Sequence, residues 1–330
     1  MSLTFKAAKR ENIALLIGLA GGTGSGKTFS AMRLAKGMAE GKRFAVIDTE
    51  NGRASHYADQ FDFDVADLRE PFSPVAYLEA IKAADKAGYS VIVVDSMSHE
   101  WAGTGGVLDA QENELDRMAG QDWKKREACR MAAWIRPKME HKHMVQSLLQ
   151  VKAHVILCFR AEEKIEIVKE DGKTKIVPKQ SLTGLNGWIS ITEKNLPFEL
   201  TTSILFTADR PGIPQPIKLQ EQHKALFPLD RVVDEQSGKR IAEWAAGGAV
   251  KRSVEVPPVS ASTPAQSEEK QDVDTLSFVT ADQATYIGDL LAKYPKVKDA
   301  IVKKYGSIAK IPADAYHTAV DWIEESTGGK

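Results

Sequence analysis

Cysteine is scarce: the 330 residues hold two, Cys129 and Cys158, with no C-x-x-C pair. That excludes a disulfide framework and a zinc ribbon, and buried thiols in a reducing compartment are expected. No apolar run approaches the ~20 residues of a membrane span, so no membrane partner is expected. Residues 1–11 carry no signal-peptide core, so a cytoplasmic location is expected. Net charge is −1, which removes whole-chain attraction for nucleic acid and leaves only local patches to provide it. No internal repeat is visible. Apolar content of 43% and charged content of 27% suit an ordinary globular chain.

What is present centres on one stretch: Gly21-Gly22-Thr23-Gly24-Ser25-Gly26-Lys27-Thr28, which fits G-x-x-x-x-G-K-[ST]. Ile13–Leu19 before it reads as a buried strand. Phe29 to Glu40 after it reads as a helix, with Met32, Ala35 and Met38 on one face. Strand, glycine loop and helix form the arrangement that turns backbone N–H groups, and the positive end of a helix, onto phosphate oxygens. The stretch, with Phe29 beside it, is therefore expected to hold ATP. Lys27 would reach the β- and γ-phosphates, and the Thr28 hydroxyl would hold Mg²⁺.

Further strands are expected at Lys42–Asp48, Val91–Asp95, Val155–Phe159, Ile204–Thr207 and Pro216–Leu219. A helix opens at Ser73-Pro74 and stops at Gly88. Strands alternating with helices predict an α/β fold, a mostly parallel sheet covered by helices. An insertion follows Asp95, with helices expected at 107–119, at 121–135 and from Pro137 to Gln150. Lys164 to Pro178 predicts a hairpin about Asp171-Gly172, carrying Lys164, Lys169, Lys173, Lys175 and Lys179. It is either a solvated ribbon with protective edge lysines or a basic finger for a phosphate backbone. Three domains result: 1–249 the nucleotide domain, 250–275 a disordered Pro/Ser-rich linker, and 276–330 a small C-terminal module of three short helices.

Two acids carry the chemistry. Asp95, at the tip of the Val91–Val94 strand, suits a Mg²⁺-organising aspartate. Ser96 follows it, so the water-activating base must come from elsewhere. Glu50 is the choice, just past the strand Phe44–Asp48 and sharing a strand face with Asp48; His99 and Glu100 are weaker alternatives. His141, His143 and His154 lack metal-like spacing and read as ordinary.

Val91-Ile92-Val93-Val94-Asp95-Ser96 and Phe44-Ala45-Val46-Ile47-Asp48-Thr49-Glu50 resemble two strands of RecA recombinases, over roughly residues 12–210. More closely, the chain looks like the compact RecA-like ATPases of bacteriophages, the Sak-type annealing and recombination group. That resemblance implies a RecA-like P-loop core, ATP hydrolysis with Mg²⁺, Glu50 as base, and a charged sensor at Arg160. It also implies single-stranded DNA as partner and a homo-oligomer, ring or filament. A basic residue from a neighbouring subunit would complete the site, with Lys164 and Arg210 as donors. The C-terminal module would engage a single-strand-binding protein or another recombination partner, in the host cytoplasm. Two other functions compete: a P-loop motor or loader acting on protein partners or duplex DNA, and a small-molecule kinase. The kinase is least favoured, because no arginine-rich lid is visible and Glu50 suits water as nucleophile.

Overall fold

In the computed structural model, residues 10, 13–170, 173–247 and 307–311 are described. The chain divides into two units, Met1–Val254 and Glu255–Lys330. Of the second, only a 3₁₀ turn at Ile308–Lys310 falls among the described residues. The linker 250–275 and nearly all of the three-helix module lie outside them.

The strand Val91–Asp95 (β4) shows how the first unit is built. Its side chains alternate: Val91 and Val93 enter one apolar core, Ile92 and Val94 the other. A strand buried on both faces needs a helix layer on each side. Around β4 run Leu16–Gly21 (β1), Phe44–Asp48 (β2), Phe63–Asp67 (β3), His154–Glu163 (β5), Thr202–Thr207 (β10) and Arg210–Lys218 (β11). The order across the sheet is β11-β10-β1-β5-β4-β2-β3. Every pairing in that path is parallel except β10 with β11. The sheet is thus mostly parallel, as the alternation of strands and helices requires.

One face is covered by Lys27–Met38 (α1) and Glu235–Ala245 (α8), the other by Pro74–Lys86 (α2) and Ile135–Leu148 (α6). Between β4 and α6 the insertion forms Ser98–Ala102 (α3), Val107–Ala119 (α4) and Trp123–Cys129 (α5). The helix expected over 121–135 is broken: α5 stops at Cys129, a 3₁₀ turn spans Ala132–Trp134, and α6 starts at Ile135. Beyond the sheet, Ile165–Glu170 (β6) and Lys173–Pro178 (β7) form a separate antiparallel pair, at the position of the expected hairpin. Gly184–Leu185 (β8) and Trp188–Ser190 (β9) then fold back, so that β9 pairs with the far end of β5. A short helix, Leu196–Glu199 (α7), leads into β10. Cys158 is buried and Cys129 half-buried, so only the first thiol is the inert core group that was expected. Burial raises the Cys158 thiol well above its usual range.

Helices α1 and α8 cross through paired glycines. A Cβ on Gly37 would stand 2.0 Å from the Glu235 carbonyl oxygen, and one on Gly238 would stand 2.2 Å from that of Leu34. Replacing Gly37 by Ala should gain about 1 kcal/mol of helix propensity. Forcing two backbones apart costs about 1–3 kcal/mol, and both neighbours here are main chain. We therefore expect Gly37→Ala to lower the thermal midpoint by about 2–4 °C, read by calorimetry; a rise would mean that the helices separate freely.

Candidate active site

The phosphate loop begins where β1 ends, at Gly21, and closes on α1, whose N-cap is Gly26. Gly24 and Gly26 hold φ near +76° and +79°, a conformation costly for any residue with a Cβ. No side chain caps α1, so its first N–H groups are left for a ligand. From outside the loop, Gly212 of β11 donates its N–H to the Ser25 carbonyl at 3.0 Å. A Cβ on Gly26 would meet that same Gly212 nitrogen at 3.0 Å. The cleft in front of the loop measures about 630 Å³ and is lined by Gly21, Gly22, Thr23, Gly24, Ser25, Gly26, Lys27, Thr28 and Phe29, together with Glu50, Arg53, Tyr57, Arg160, Ala161 and Ile191.

Behind the loop, Thr28 Oγ1 donates to Asp95 Oδ2 at 2.5 Å, and Lys27 Nζ stands 3.7 Å from Asp95 Oδ1. That Oδ1 is buried without a hydrogen-bond partner. An orphaned carboxylate oxygen beside a hydroxyl and below a phosphate cradle fits a divalent cation. Among the described residues no cluster of three or more His, Cys, Asp or Glu could hold a metal. Thr28 and Asp95 are therefore the protein groups that would hold Mg²⁺, with nucleotide and water oxygens completing its shell.

Glu50 faces the same cleft. Strand β2 ends at Asp48, so Glu50 sits in the turn beyond it rather than in strand register. Asp48 therefore does not share its face, contrary to the sequence expectation. The Asp48 carboxylate instead accepts the N–H of Glu50 at 2.6 Å and of Ala54 at 2.7 Å, fixing the turn. Thr49 ties that turn to the next strand: its N–H bonds the Asp95 carbonyl at 2.9 Å, and its hydroxyl accepts from Ser96 N at 2.8 Å.

Both oxygens of the Glu50 carboxylate, only 9% exposed, are held by guanidinium groups. Arg160 donates Nε and Nη2 to Oε1 at 3.1 and 2.8 Å, and Arg53 donates Nη1 to Oε2 at 2.6 Å. Burial pushes this carboxyl up, but the bonds from Arg160 and then Arg53 outweigh it and hold the group below its ordinary value.

The structure thus brings Lys27, Thr28, Glu50, Asp95 and Arg160 to one place. His99 and Glu100 do not compete with Glu50. His99 is bonded to the Thr49 hydroxyl at 2.8 Å, and burial, then Arg160, lowers its pKa. Glu100 is fully buried away from the cleft against His141 at 2.8 Å, and burial raises its carboxyl. His154 accepts the Leu15 N–H, an ordinary structural role. Of the two proposed donors to a neighbour's site, Lys164 pairs with Glu162 at 2.9 Å, and Arg210 begins β11; neither lines this cleft. Arg53 and Tyr57 were missed. They lie in a 3₁₀ turn, Arg53–Tyr57, whose sequence carries no motif; an arginine three residues beyond the chosen base was the available signal.

A family model described as an AAA domain matches residues 14–192, more than half of the chain and all of the cleft. No curated protein matches the chain. Among the described residues no helix is long and apolar enough to cross a membrane.

Two substitutions separate phosphate from metal. Lys27→Ala should weaken nucleotide binding at least about tenfold, as expected for a lost bond to a charged group worth about 1.5–3 kcal/mol. Thr28→Val should abolish the gain in affinity that Mg²⁺ gives while leaving metal-free binding unchanged. Fluorescent-nucleotide titrations with Mg²⁺ and with chelator read both; an unchanged Mg²⁺ gain in Thr28→Val would remove that hydroxyl from the metal site.

Proposed function

Because this chain belongs to the AAA domain family of P-loop ATPases, we propose that it hydrolyses ATP and couples hydrolysis to single-stranded DNA, as a phage-type RecA-like annealing or recombination protein. The observation that carries the hydrolytic half is the Glu50 carboxylate in the same cleft as Lys27, with Thr28 and the open oxygen of Asp95 behind the loop. In that reading the water oxygen attacks the γ-phosphorus in line, the bond from phosphorus to the β-phosphate bridging oxygen breaks, and ADP leaves. Glu50 orients the water and takes its proton. Lys27 and Arg160 place positive charge where the γ-phosphoryl oxygens gather negative charge. Mg²⁺, when bound, neutralises charge across the β- and γ-phosphates.

Two features support the DNA half. The β6–β7 pair stands apart from the main sheet with Ile165, Ile167 and Ile176 exposed among its lysines. A solvated ribbon would place polar residues there, so its surface suits a ligand with both phosphates and flat apolar faces. Beside it lies a second cleft of about 570 Å³, with Trp101, Lys164, Lys179 and Lys194 in its walls. It shares Ile191 with the nucleotide cleft. The protein would act as a homo-oligomer, with residues 276–330 reaching a single-strand-binding protein or another recombination partner.

Glu50→Gln should keep ATP affinity within about twofold and lower kcat at least about 10²-fold, the usual share of a positioned base. ATPase assays with and without single-stranded DNA, beside binding across a salt series, test the coupling. We expect stimulation by DNA and a log–log salt slope of about −0.7 per phosphate contacted. Neither binding at low salt nor stimulation would point to a motor acting on proteins instead.

A further inference from the structure

Arg53 is the charged residue in the cleft lining that hydrolysis by Glu50, Lys27, Thr28, Asp95 and Arg160 leaves without a task. The same subunit supplies it, from the turn that follows β2. That turn is fixed at its start by Gly52 at φ +81° and by the bond from Ala54 N to Asp48 at 2.7 Å. The Arg53 side chain is 62% exposed and reaches Glu50 through one nitrogen, whereas that of Arg160 is 48% exposed and grips the same carboxylate through two. Arg160 is also bound by its backbone: its N–H donates to Ser98 Oγ at 2.9 Å, and its carbonyl accepts from Ile191 N at 2.8 Å.

As it stands, the base is occupied. A carboxylate that accepts N–H bonds on both oxygens has little capacity left to take a proton from water. A terminal phosphoryl group entering the cleft carries more negative charge than a carboxylate. Its oxygens also match a guanidinium fork. Of the two arginines, the one that can change partner at least cost is the more exposed and singly bonded one.

We propose that Arg53 moves from Glu50 to the γ-phosphoryl group of the nucleotide bound to its own subunit, serving as an arginine finger in cis. This rests on the hydrolytic reading with Glu50 as base. One movement does two things: it frees Glu50 Oε2 to receive the water proton, and it brings a fixed positive charge to the transferring group. ADP, lacking that group, leaves Arg53 on Glu50. Arg53 would then bring from its own subunit a cation of the kind expected from Lys164 or Arg210 of another copy.

The test uses the full chain with Arg53→Ala and Arg53→Lys, and three readouts. The first is the ratio of dissociation constants for ADP and a non-hydrolysable ATP analogue, both with Mg²⁺. We expect Arg53→Ala to lower the preference for the analogue about tenfold with ADP affinity unchanged, and Arg53→Lys to restore part of it. Unchanged ADP affinity also shows that the variant is folded; an unchanged ratio overturns the proposal. The second is turnover, expected to fall about 10³-fold in Arg53→Ala, the lower range for an arginine finger. The third mixes Arg53→Ala with Glu50→Gln. Both defects belong to one site in a cis arrangement, so the mixture should remain as inactive as its parts; recovered activity would place Arg53 in a neighbour's site and overturn it. Undiminished turnover in Glu50→Gln alone would instead sink Glu50 as base, an outcome the binding ratio does not depend on.

Discussion

Parallel pairing is the constraint from which the cleft follows. Gly21 stands opposite Arg160, Cys158 opposite Asp95, and Asp95 opposite Asp48. Parallel neighbours all finish at the same edge, so the glycine turn, Arg160, Asp95 and the turn carrying Glu50 are delivered together. No long-range loop has to be folded over the site to assemble it. The order matters as well. Because β5 lies between β1 and β4, Arg160 rises between the phosphate loop and Asp95, within reach of Glu50.

Once gathered, these groups form a small electrostatic system rather than a row of independent residues. Lys27, Arg53 and Arg160 face Glu50 and Asp95 in a partly buried cleft, where charges interact more strongly than in bulk water. In the structure the cations are paired with the carboxylates. A triphosphate brings a larger negative charge into the same space, and the pairings must be redistributed. Asp95 is bonded to Thr28 and would hold the metal, which leaves Glu50 as the carboxylate to lose a partner. The redistribution starts with Arg53, bound to Glu50 through one nitrogen, rather than with Arg160, bound through two.

How far the sequence could be read tracks how local the determining physics is. The phosphate loop was legible because its glycines, lysine and threonine act through their immediate neighbours. Strand β4 was legible because burial on both faces demands an unbroken run of β-branched residues. Glu50 was legible by position, one turn beyond a strand, although the reason given, a shared face with Asp48, was wrong: a backbone turn ends the alternation there. Strand β3 was not seen. It is an edge strand in which only Phe63 is buried, so Asp64, Ala66 and Asp67 hide its pattern. The break between α5 and α6 was missed for a similar reason: α5 buries no residue, so no stripe marks its end. Arg53 was missed although it stands three residues beyond Glu50, because its pairing depends on a carboxylate placed by the turn and shared with a second arginine 107 positions farther along, brought in by β5.

The far end of β5 shows why a side-chain exchange is a more economical trigger than a strand movement. Its residues Ala161 to Glu163 leave the main sheet and pair with β9, while Arg160 just before them is tied to Ser98 at the root of the insertion and to Ile191 in the wall shared with the lysine-lined cleft. Shifting the Arg160 backbone would break bonds to both neighbours. Its side chain is also gripped twice by Glu50. Rotating Arg53, which is bound to Glu50 through one nitrogen, disturbs neither. The fold therefore keeps the doubly bonded arginine where three structures meet and puts the singly bonded, more exposed one on the other oxygen of Glu50. A change of nucleotide would then act first at Glu50, and would reach Ile191 through the pull that Glu50 exerts on Arg160. A cleft that binds DNA against Ile191 would act on the same arginine from the other direction, which is the arrangement that reciprocal coupling of two ligands requires.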